Sequence, residues 1–222
     1  MPNPLRAVLW DMDGTIVDTE PLWIRAETAL VRRFGGTWSA QQALTLVGRG
    51  LEDSARILQD HGVRLPVPEI VDTLTDDVVR DLANGMPWRP GALDLLRGLK
   101  GAGVPTALVT MSVRRMAEAI AAAIPFAAFD AIVSGSDVER PKPFPDAYHR
   151  AAALLDIHPT EAVAIEDSPT GLAAAVAAGT RAIGVPHLLP LPAGEWALWA
   201  TLEGRVVADL EALAPRAAEA RR

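Results

Sequence analysis

Two aspartates separated by one residue, Asp11 and Asp13, are the chain's most distinctive candidates for chemistry. They follow the apolar run 8–10 and precede Gly14. Such a run predicts a buried strand, and because side chains alternate along a strand, both carboxylates can point the same way at its carboxyl end. Two clustered carboxylates repel each other unless a cation or a shared proton relieves the repulsion. Taken alone, however, Asp-x-Asp-Gly is also the pattern of an ordinary turn.

Polar residues also follow three later apolar runs. Thr110 precedes a helical pattern, where a hydroxyl and free helix amides can bind a phosphate, or where the threonine simply caps the helix. Lys142 lies between two prolines that hold it on a stiff loop, although a solvated surface lysine is the alternative. Glu166 and Asp167 end another run and suggest oxygen ligands, but Asp167 or Ser168 can instead be a helix cap.

These residues would be positioned by strands and helices in alternation. Short runs rich in Val, Ile and Ala predict strands at 6–10, 104–110, 130–134, 162–166, 181–185 and 205–208, and helical patterns lie near 90–101, 113–123, 144–155 and 169–178. This alternation predicts an α/β fold, a doubly wound, mostly parallel and Rossmann-like sheet covered on both faces. Because such sheets bind ligands at the carboxyl ends of their strands, we expect the polar groups to converge there.

Residues 20–86 interrupt the alternation because they show only helical periodicity, near 20–34, 39–46, 51–61 and 67–84. The simplest explanation is a four-helix cap inserted after the first strand. The predicted domains are therefore a core of residues 1–18 and 87–222 and a cap of residues 19–86. A proline-rich segment, 186–200, precedes the last predicted strand, and we expect its Trp196 and Trp199 to be packing residues.

Composition excludes several classes of function. The chain has 222 residues, half of them hydrophobic, and a net charge of −7 without a basic run, so nothing indicates nucleic-acid binding. No apolar stretch is long enough to span a bilayer, and the first residues do not resemble a signal peptide. There is no cysteine, and the four histidines lack ligand spacing, so a metal would need oxygen ligands. We expect a cytoplasmic monomer that does not bind membranes.

An acid pair, a hydroxyl, a lysine and a second acid pair thus end four strands in this order. Together they would bring carboxylates, one cation and a phosphate-binding loop to one place. These are the groups that a phosphoryl-transfer site with one Mg²⁺ requires. With these four motifs the chain resembles the haloacid dehalogenase superfamily of phosphohydrolases, in the group with a helical cap after the first strand. Within it, the chain is similar to beta-phosphoglucomutases and sugar-phosphate phosphatases over essentially its whole length.

The resemblance implies a catalytic role for both members of the first acid pair. Asp11 would be the nucleophile that forms an aspartyl-phosphate. Asp13 would act as general acid toward the leaving oxygen and then as general base for the incoming water. Thr110 and Lys142 would hold the phosphate and neutralise developing charge.

The resemblance also implies a Mg²⁺ cofactor and a small phosphorylated metabolite, a sugar phosphate, as the substrate. Asp11, the main-chain carbonyl of Asp13 and Asp167 would hold the metal, with Glu166 nearby or ligating it directly. Such ligands are hard oxygen donors, as Mg²⁺ requires.

Two reactions of the superfamily are disfavoured by the sequence. Dehalogenases lack the second aspartate of the first motif, so Asp13 argues against that activity. Phosphonate-cleaving members use a lysine of the cap, and residues 20–86 contain none. An alternative of another class is a receiver domain, a phosphorylated switch that also carries acids, a hydroxyl and a lysine at strand ends. The length, the cap and the position of the first motif argue against it.

Mutase activity is the closer alternative. Beta-phosphoglucomutases carry a histidine where this chain has Trp23, and an asparagine where it has Arg114 and Arg115. Residues 19–23 (Thr-Glu-Pro-Leu-Trp) look more like those of sugar-phosphate phosphatases, so we expect water to be the main acceptor.

Two residues of the cap are candidates for substrate binding. Arg49 stands in Gly48-Arg49-Gly50, a flexible turn from which it could reach a sugar hydroxyl or a phosphate when the cap closes, or could remain a surface arginine. Trp23 either walls the pocket or packs at the hinge. Arg114 and Arg115 begin a helix beside Thr110, where a role on the helix surface is the simpler expectation.

Overall fold

The described residues form a six-stranded sheet in which every strand is parallel to its neighbours. This computed structural model describes residues 5–47 and 49–213. The strand order is β3-β2-β1-β4-β5-β6. The strands are β1 (Ala7–Trp10), β2 (Thr106–Val109), β3 (Ala131–Val133), β4 (Ala162–Glu166), β5 (Arg181–Gly184) and β6 (Trp196–Leu198). The predicted doubly wound α/β fold is confirmed.

The first strand lies in the middle of the sheet because all four of its residues are apolar and buried. Its side chains alternate between two cores: Val8 and Trp10 pack in one hydrophobic cluster, and Leu9 packs in the other. The helices of the core are α5 (Ala92–Gly101), α6 (Arg114–Ala123), α7 (Asp146–Leu154), α8 (Pro169–Ala177) and α9 (Val207–Glu211). Burial on both faces requires near-continuous apolar strands, which is what the chain supplies here.

Four helices stand between β1 and α5 and form the inserted cap: α1 (Glu20–Arg33), α2 (Ala40–Leu44), α3 (Leu51–Asp60) and α4 (Val67–Leu82). Their apolar faces meet in a core that includes Leu58, Ile70 and Leu74, each no more than 1 % exposed. Spacings of three and four residues place Ile70 and Leu74 on one face of α4. The boundaries of the two domains, at 18/19 and 86/87, stay a prediction.

The two chain segments that join cap and core run side by side. Val17 and Trp88 form an antiparallel bridge. The Asp18 amide donates to the Pro87 carbonyl at 2.8 Å, and the Arg89 amide donates to the Ile16 carbonyl at 2.8 Å. The cap is thus connected to the core through one short hydrogen-bonded ribbon.

The strand predicted at 205–208 is wrong. Val206 is instead the N-terminal cap of α9, and its amide donates to the Asp209 carboxylate at 2.9 Å, the arrangement that starts a helix. The sixth strand is Trp196–Leu198, inside the segment predicted as a proline-rich excursion, and it pairs with β5. An edge strand of three residues carries too little periodicity to be recognised among prolines.

The tryptophans around this strand pack as expected. Trp199 is buried in the larger hydrophobic cluster, where the Arg205 guanidinium lies 4.4 Å from its ring centroid. Trp196 is partly buried and packs against the smaller cluster. No helix in the described ranges 5–47 and 49–213 has both the length and the hydrophobicity that crossing a bilayer demands.

Candidate active site

The polar residues at the strand ends meet around one cavity. Asp11 follows β1, Thr110 follows β2 and Asp167 follows β4, and Lys142 reaches the same place from the loop before α7. All four line a cavity of about 90 Å³ between the core and the cap. This volume is small beside that of typical ligand pockets, which is roughly 300 Å³ or more, because the cap lies close over the strand ends.

Lys142 is buried at the centre of this cluster. Its Nζ lies 2.6 Å from Asp11 Oδ1 and 2.6 Å from Glu166 Oε1, and it donates to the Val109 carbonyl at 2.9 Å. Burial alone would lower the pKa of this amine, but the Asp11 and Glu166 carboxylates outweigh it and raise the pKa above its ordinary value. The lysine is therefore a fixed positive charge rather than a proton donor.

Glu166 is fully buried and holds the lysine in place. Its Oε1 also accepts the hydroxyl of Tyr148 at 2.6 Å, and its Oε2 accepts that of Ser168 at 3.3 Å. A Cβ at Gly171 would lie 2.0 Å from Oε2, so the start of α8 fits around this carboxylate only because residue 171 is glycine. Burial raises the pKa of Tyr148 well above its usual value, with help from the Glu166 charge, and keeps the phenol a hydrogen-bond donor.

Asp11 lies against the lysine and is only 7 % exposed. Burial, and then the Glu166 charge, raise the pKa of its carboxyl to about 7, against the lowering effect of Lys142. One lysine thus faces two buried carboxylates, Asp11 and Glu166, while Asp167 adds a third negative group nearby. With all three carboxyls ionised the cluster would hold more negative than positive charge, an imbalance that a proton or a further cation relieves.

Asp13 is held by four donors on the cap side of the cluster. The Thr19 hydroxyl donates to Oδ1 at 2.5 Å, and the Trp23 indole N–H approaches the same oxygen at 3.4 Å. The hydroxyls of Thr110 and Ser112 donate to Oδ2 at 3.2 and 2.8 Å. These contacts fix the orientation of the carboxylate.

Three carboxylates can supply ligands to one metal ion. Oxygen atoms of Asp11, Glu166 and Asp167 all lie within 4.8 Å of one another. Burial, and then the Asp11 charge, raise the pKa of Asp167 well above its ordinary value. In the described part of the chain no group donates a hydrogen bond to the Asp167 carboxylate. A buried carboxylate without a donor fits a cation, and an all-oxygen donor set fits Mg²⁺.

Gly14 is the residue that lets Asp167 approach the first motif. Its φ is +82°, which residues with side chains rarely adopt, and a Cβ there would lie 2.0 Å from Asp167 Oδ2. The glycine of Asp-x-Asp-Gly thus makes a turn, as its sequence suggests, and also leaves the space in which the second acid pair meets the first.

The two cap residues predicted to bind substrate both line the cavity. Trp23 is 7 % exposed and contacts Asp13, so it walls the site beside the hinge. Arg49 is exposed, and its Nε donates to the Thr45 carbonyl at 2.7 Å. Its neighbour Gly48 lies outside the described residues.

Arg114 and Arg115 point away from the cavity. Arg114 forms ion pairs with Asp137 and, at 3.4 Å, with Glu118. Arg115 forms ion pairs with Asp72 at 2.8 Å and Asp76 at 3.0 Å. Because both aspartates belong to α4 of the cap, Arg115 joins core and cap across their contact surface.

Sequence reasoning missed three groups of this site. Ser112 follows Thr110 by two residues, a repeat of hydroxyls that could have been noticed. Tyr148 lies on α7, and only its status as the chain's one tyrosine set it apart. Glu27 lines the cavity from α1; as one acid among many on an amphipathic helix, it carried no signal.

Comparisons with known proteins identify the family. The profile of the haloacid dehalogenase-like hydrolases matches residues 5–179. Protein CbbY of Cereibacter sphaeroides is 36% identical over 195 residues, covering 82% of this chain and 84% of its own. Hexitol phosphatase A of Escherichia coli is 33% identical, covering 81% and 82%. The crystal structure of a CbbY mutant from Rhodobacter sphaeroides in complex with xylulose-(1,5)bisphosphate superposes with a TM-score of 0.82 at 31% identity, covering 90% of this chain and 96% of that one.

The chain therefore belongs to the haloacid dehalogenase-like hydrolases. This confirms the family resemblance inferred from the four motifs, and with the phosphatase relatives it confirms the expected class of enzyme, a phosphoric monoester hydrolase. The alternative of a receiver domain, which would not turn over a substrate, has no support from these matches.

Proposed function

We propose that the protein is a Mg²⁺-dependent phosphatase that hydrolyses a small sugar or polyol phosphate through an aspartyl-phosphate intermediate. The observation that carries the proposal is the meeting of Asp11, Asp13, Lys142 and Asp167 around one cavity under the cap. Phosphatase relatives such as hexitol phosphatase A support the same substrate class. The expected cytoplasmic location and monomeric state stay predictions.

In this proposal Asp11 attacks the phosphorus atom. A carboxylate approaches a phosphate dianion only if positive charge offsets their repulsion. Lys142, at 2.6 Å from Asp11, supplies part of that charge and also fixes the direction of the carboxylate. The Thr110 hydroxyl and Lys142 would then contact the phosphate oxygens.

Asp13 is the proposed general acid and base. It would give a proton to the oxygen of the leaving alcohol, and then take one from the water that attacks the aspartyl-phosphate. The hydroxyls of Thr19 and Ser112 hold its carboxylate against the cavity wall, so the proton is exchanged at a fixed position. Trp23 covers the same carboxylate and limits its access to bulk water.

The metal would be held by Asp11, Asp167 and the main-chain carbonyl of Asp13. Glu166 lies in the same cluster, but Lys142, Tyr148 and Ser168 already occupy its oxygens, so we assign it an indirect role through the lysine. When bound, Mg²⁺ would withdraw charge from the phosphate oxygens and help to orient the ester.

The proposal is tested by phosphate release from a panel of phosphate esters with Mg²⁺. Asp11→Asn is the matched control, since an amide of the same shape cannot act as the nucleophile. We expect turnover of at least one small sugar or polyol phosphate, and a loss of several orders of magnitude in the variant. More than a few percent of residual turnover in folded Asp11→Asn would overturn the covalent mechanism.

A second assay separates hydrolysis from phosphate transfer. The enzyme receives beta-glucose 1-phosphate with a trace of the 1,6-bisphosphate, and both inorganic phosphate and glucose 6-phosphate are followed. With Trp23 in the position of the mutase histidine, we expect no transfer that outpaces hydrolysis. If glucose 6-phosphate forms much faster than inorganic phosphate, the protein is a mutase.

A further inference from the structure

The cavity continues from the catalytic carboxylates into the cap along one face of α1. Glu20, Trp23, Ile24 and Glu27 all line it, and their spacing of three and four residues places them on one side of the helix. Trp23 contacts Asp13, and Glu27 stands one turn farther, about 6 Å along the helix axis. A substrate whose phosphate lies against Asp11 would thus extend its alcohol part past Trp23 toward Glu27.

Glu27 is a buried carboxylate with one oxygen engaged. Glu27 is only 5 % exposed. Its Oε2 accepts a hydrogen bond from the Trp38 indole N–H at 3.3 Å. Trp38 is held in turn by an edge-to-face contact with His61, whose ring centroid lies 4.9 Å away. The other oxygen, Oε1, has no hydrogen-bond partner among the residues that the structure describes. A buried acceptor that borders a cavity is a position for a ligand donor.

The rest of the cap wall has the chemistry of a polyol site. Ala43 and Leu74 supply apolar carbon from α2 and α4, and Ser54 supplies a hydroxyl from α3. Ser54 is 5 % exposed, and within the described part of the chain its hydroxyl has no hydrogen-bond partner either. Two hydrogen-bonding groups on an apolar surface match a carbon chain that carries hydroxyls.

Charge at this end of the cavity disfavours a second phosphate. Glu20 and Glu27 are both acidic, and Arg49 is the one cation that lines the cap side of the cavity in residues 5–47 and 49–213. Its guanidinium lies on an exposed turn at the rim and is engaged by the Thr45 carbonyl. Above pH 7, where the Glu27 carboxyl is ionised, a phosphate beside it would face a negative charge that the Trp38 hydrogen bond holds in place.

We propose that Glu27 is a specificity residue: it accepts a hydrogen bond from a hydroxyl of the leaving alcohol and rejects substrates with a second phosphate at that end. The substrate class is then a monophosphate of a neutral polyol or sugar. The inference rests on the proposed function. It also separates this chain from the CbbY mutant whose structure contains xylulose-(1,5)bisphosphate, a compound of the kind that we expect this cavity to reject.

The test compares three esters in wild-type protein and in Glu27→Gln at a pH of about 8.5, above the pKa of about 7 of the buried Glu27 carboxyl. The esters are sorbitol 6-phosphate, hexyl phosphate, which lacks the hydroxyls, and fructose 1,6-bisphosphate. The glutamine keeps the size of the side chain and an oxygen for Trp38, but it removes the charge. Glu69→Gln, at an exposed position of the cap, is the matched control.

For the polyol ester relative to the alkyl ester, we expect kcat/KM to fall about tenfold or more in Glu27→Gln, the loss of a hydrogen bond to a charged acceptor. In the same variant we expect kcat/KM for the bisphosphate, relative to the alkyl ester, to rise by a similar factor. Ser54→Ala is a second variant that leaves Glu27 and Trp38 untouched. It should lower kcat/KM for the polyol ester, relative to the alkyl ester, by a few-fold.

If the kcat/KM ratios between the esters stay within about twofold of wild type in both Glu27→Gln and Ser54→Ala, the inference is overturned. The proposed phosphatase function would not be affected by that result. Wild-type protein that releases no phosphate from any of the three esters would instead count against the proposed function. A wild-type enzyme that prefers the bisphosphate would contradict the inference directly, whatever the variants do.

Discussion

The Lys142 ammonium group lies 2.6 Å from the Asp11 carboxylate, although the two residues are 131 positions apart in the chain. The contact exists because β1 and β2 are adjacent parallel strands and the loop before α7 returns over their carboxyl ends. A buried ion pair of this kind contributes little net stability, but the loss of one partner leaves an uncompensated buried charge.

Replacing Lys142 with methionine should therefore affect both activity and folding. We expect turnover to fall by orders of magnitude, because the fixed cation that offsets the charges of Asp11 and the phosphate is then missing. We also expect the free energy of unfolding in urea to fall by roughly 3–5 kcal/mol. Lys100→Met is the control, since Lys100 is half-exposed and lies 3.7 Å from Asp130. Equal stability of the two variants would show that the buried cluster tolerates the missing cation.

The acidic cluster predicts a specific metal requirement. Chelation should abolish phosphate release, and Mg²⁺ should restore it better than Ca²⁺, which recruits extra ligands and would engage the oxygen that Asp11 needs for attack. Calorimetric titration of Mg²⁺ into wild type and Asp167→Asn gives a readout independent of turnover. We expect weaker binding in the variant; identical binding would remove Asp167 from the ligand set.

Glu27 predicts how stability depends on pH. Burial raises the pKa of its carboxyl from 4.5 to about 7, against the lowering effect of the Trp38 hydrogen bond. The folded protein therefore retains a proton that the unfolded chain has lost between these values. This contribution to stability is fully present below pH 4.5 and is lost as the pH rises through about 7.

The measurement is urea unfolding of wild type and Glu27→Gln at several pH values from about 5 to 9. As the pH rises across this range, the free energy of unfolding of Glu27→Gln should increase by roughly 2–4 kcal/mol relative to that of wild type. This is the free energy that corresponds to the raised pKa of Glu27. Glu69→Gln should show no such trend. A difference between Glu27→Gln and wild type that does not change with pH would mean that the carboxyl titrates normally.

The ion pairs of Arg115 predict that salt opens the cap. Each exposed pair contributes about 0.2–1 kcal/mol and is screened by ions. Because the chain has no cysteine, one cysteine introduced at Glu69 of the cap and one at Glu118 of the core allow a spin-label distance to be measured. We expect longer distances in Arg115→Gln at low salt, and in wild type at high salt.

Arg97→Gln is the control for this prediction, because Arg97 pairs with Asp94 of its own helix and does not touch the cap. A wild-type distance that is unaffected by salt would show that apolar contacts, rather than Arg115, hold the cap closed.

Much of the fold could be predicted from the sequence because its strands are nearly continuous apolar runs that end in polar residues. Asp11, Thr110 and Asp167 stand where parallel strands end, and the rule that ligands bind at this edge brings them together. Glu27 could not be predicted in this way. Its place in the site depends on how the four cap helices pack against one another, and local sequence patterns do not determine that packing.

The prediction of the sixth strand failed for a related reason. Trp196–Leu198 is a strand because it pairs with the edge of β5. Val206 and its neighbours have higher β propensity, but the hydrogen bond between the Val206 amide and the Asp209 carboxylate starts a helix there instead. Tyr148 likewise became a partner of Glu166 through the packing of α7 against the sheet. For Trp196–Leu198 and for Tyr148, a tertiary contact rather than the local sequence decided the outcome.

The paired segments around Val17 and Trp88 limit how the cap can move. Two separate tethers would let it slide, twist and tilt over the sheet. Two tethers that are hydrogen-bonded to each other behave as a single torsional axis, with the bonds Asp18–Pro87 and Ile16–Arg89 on either side of it. We therefore expect any motion of the cap to be mainly a rotation about this axis, which would return α1 to its place over Asp13.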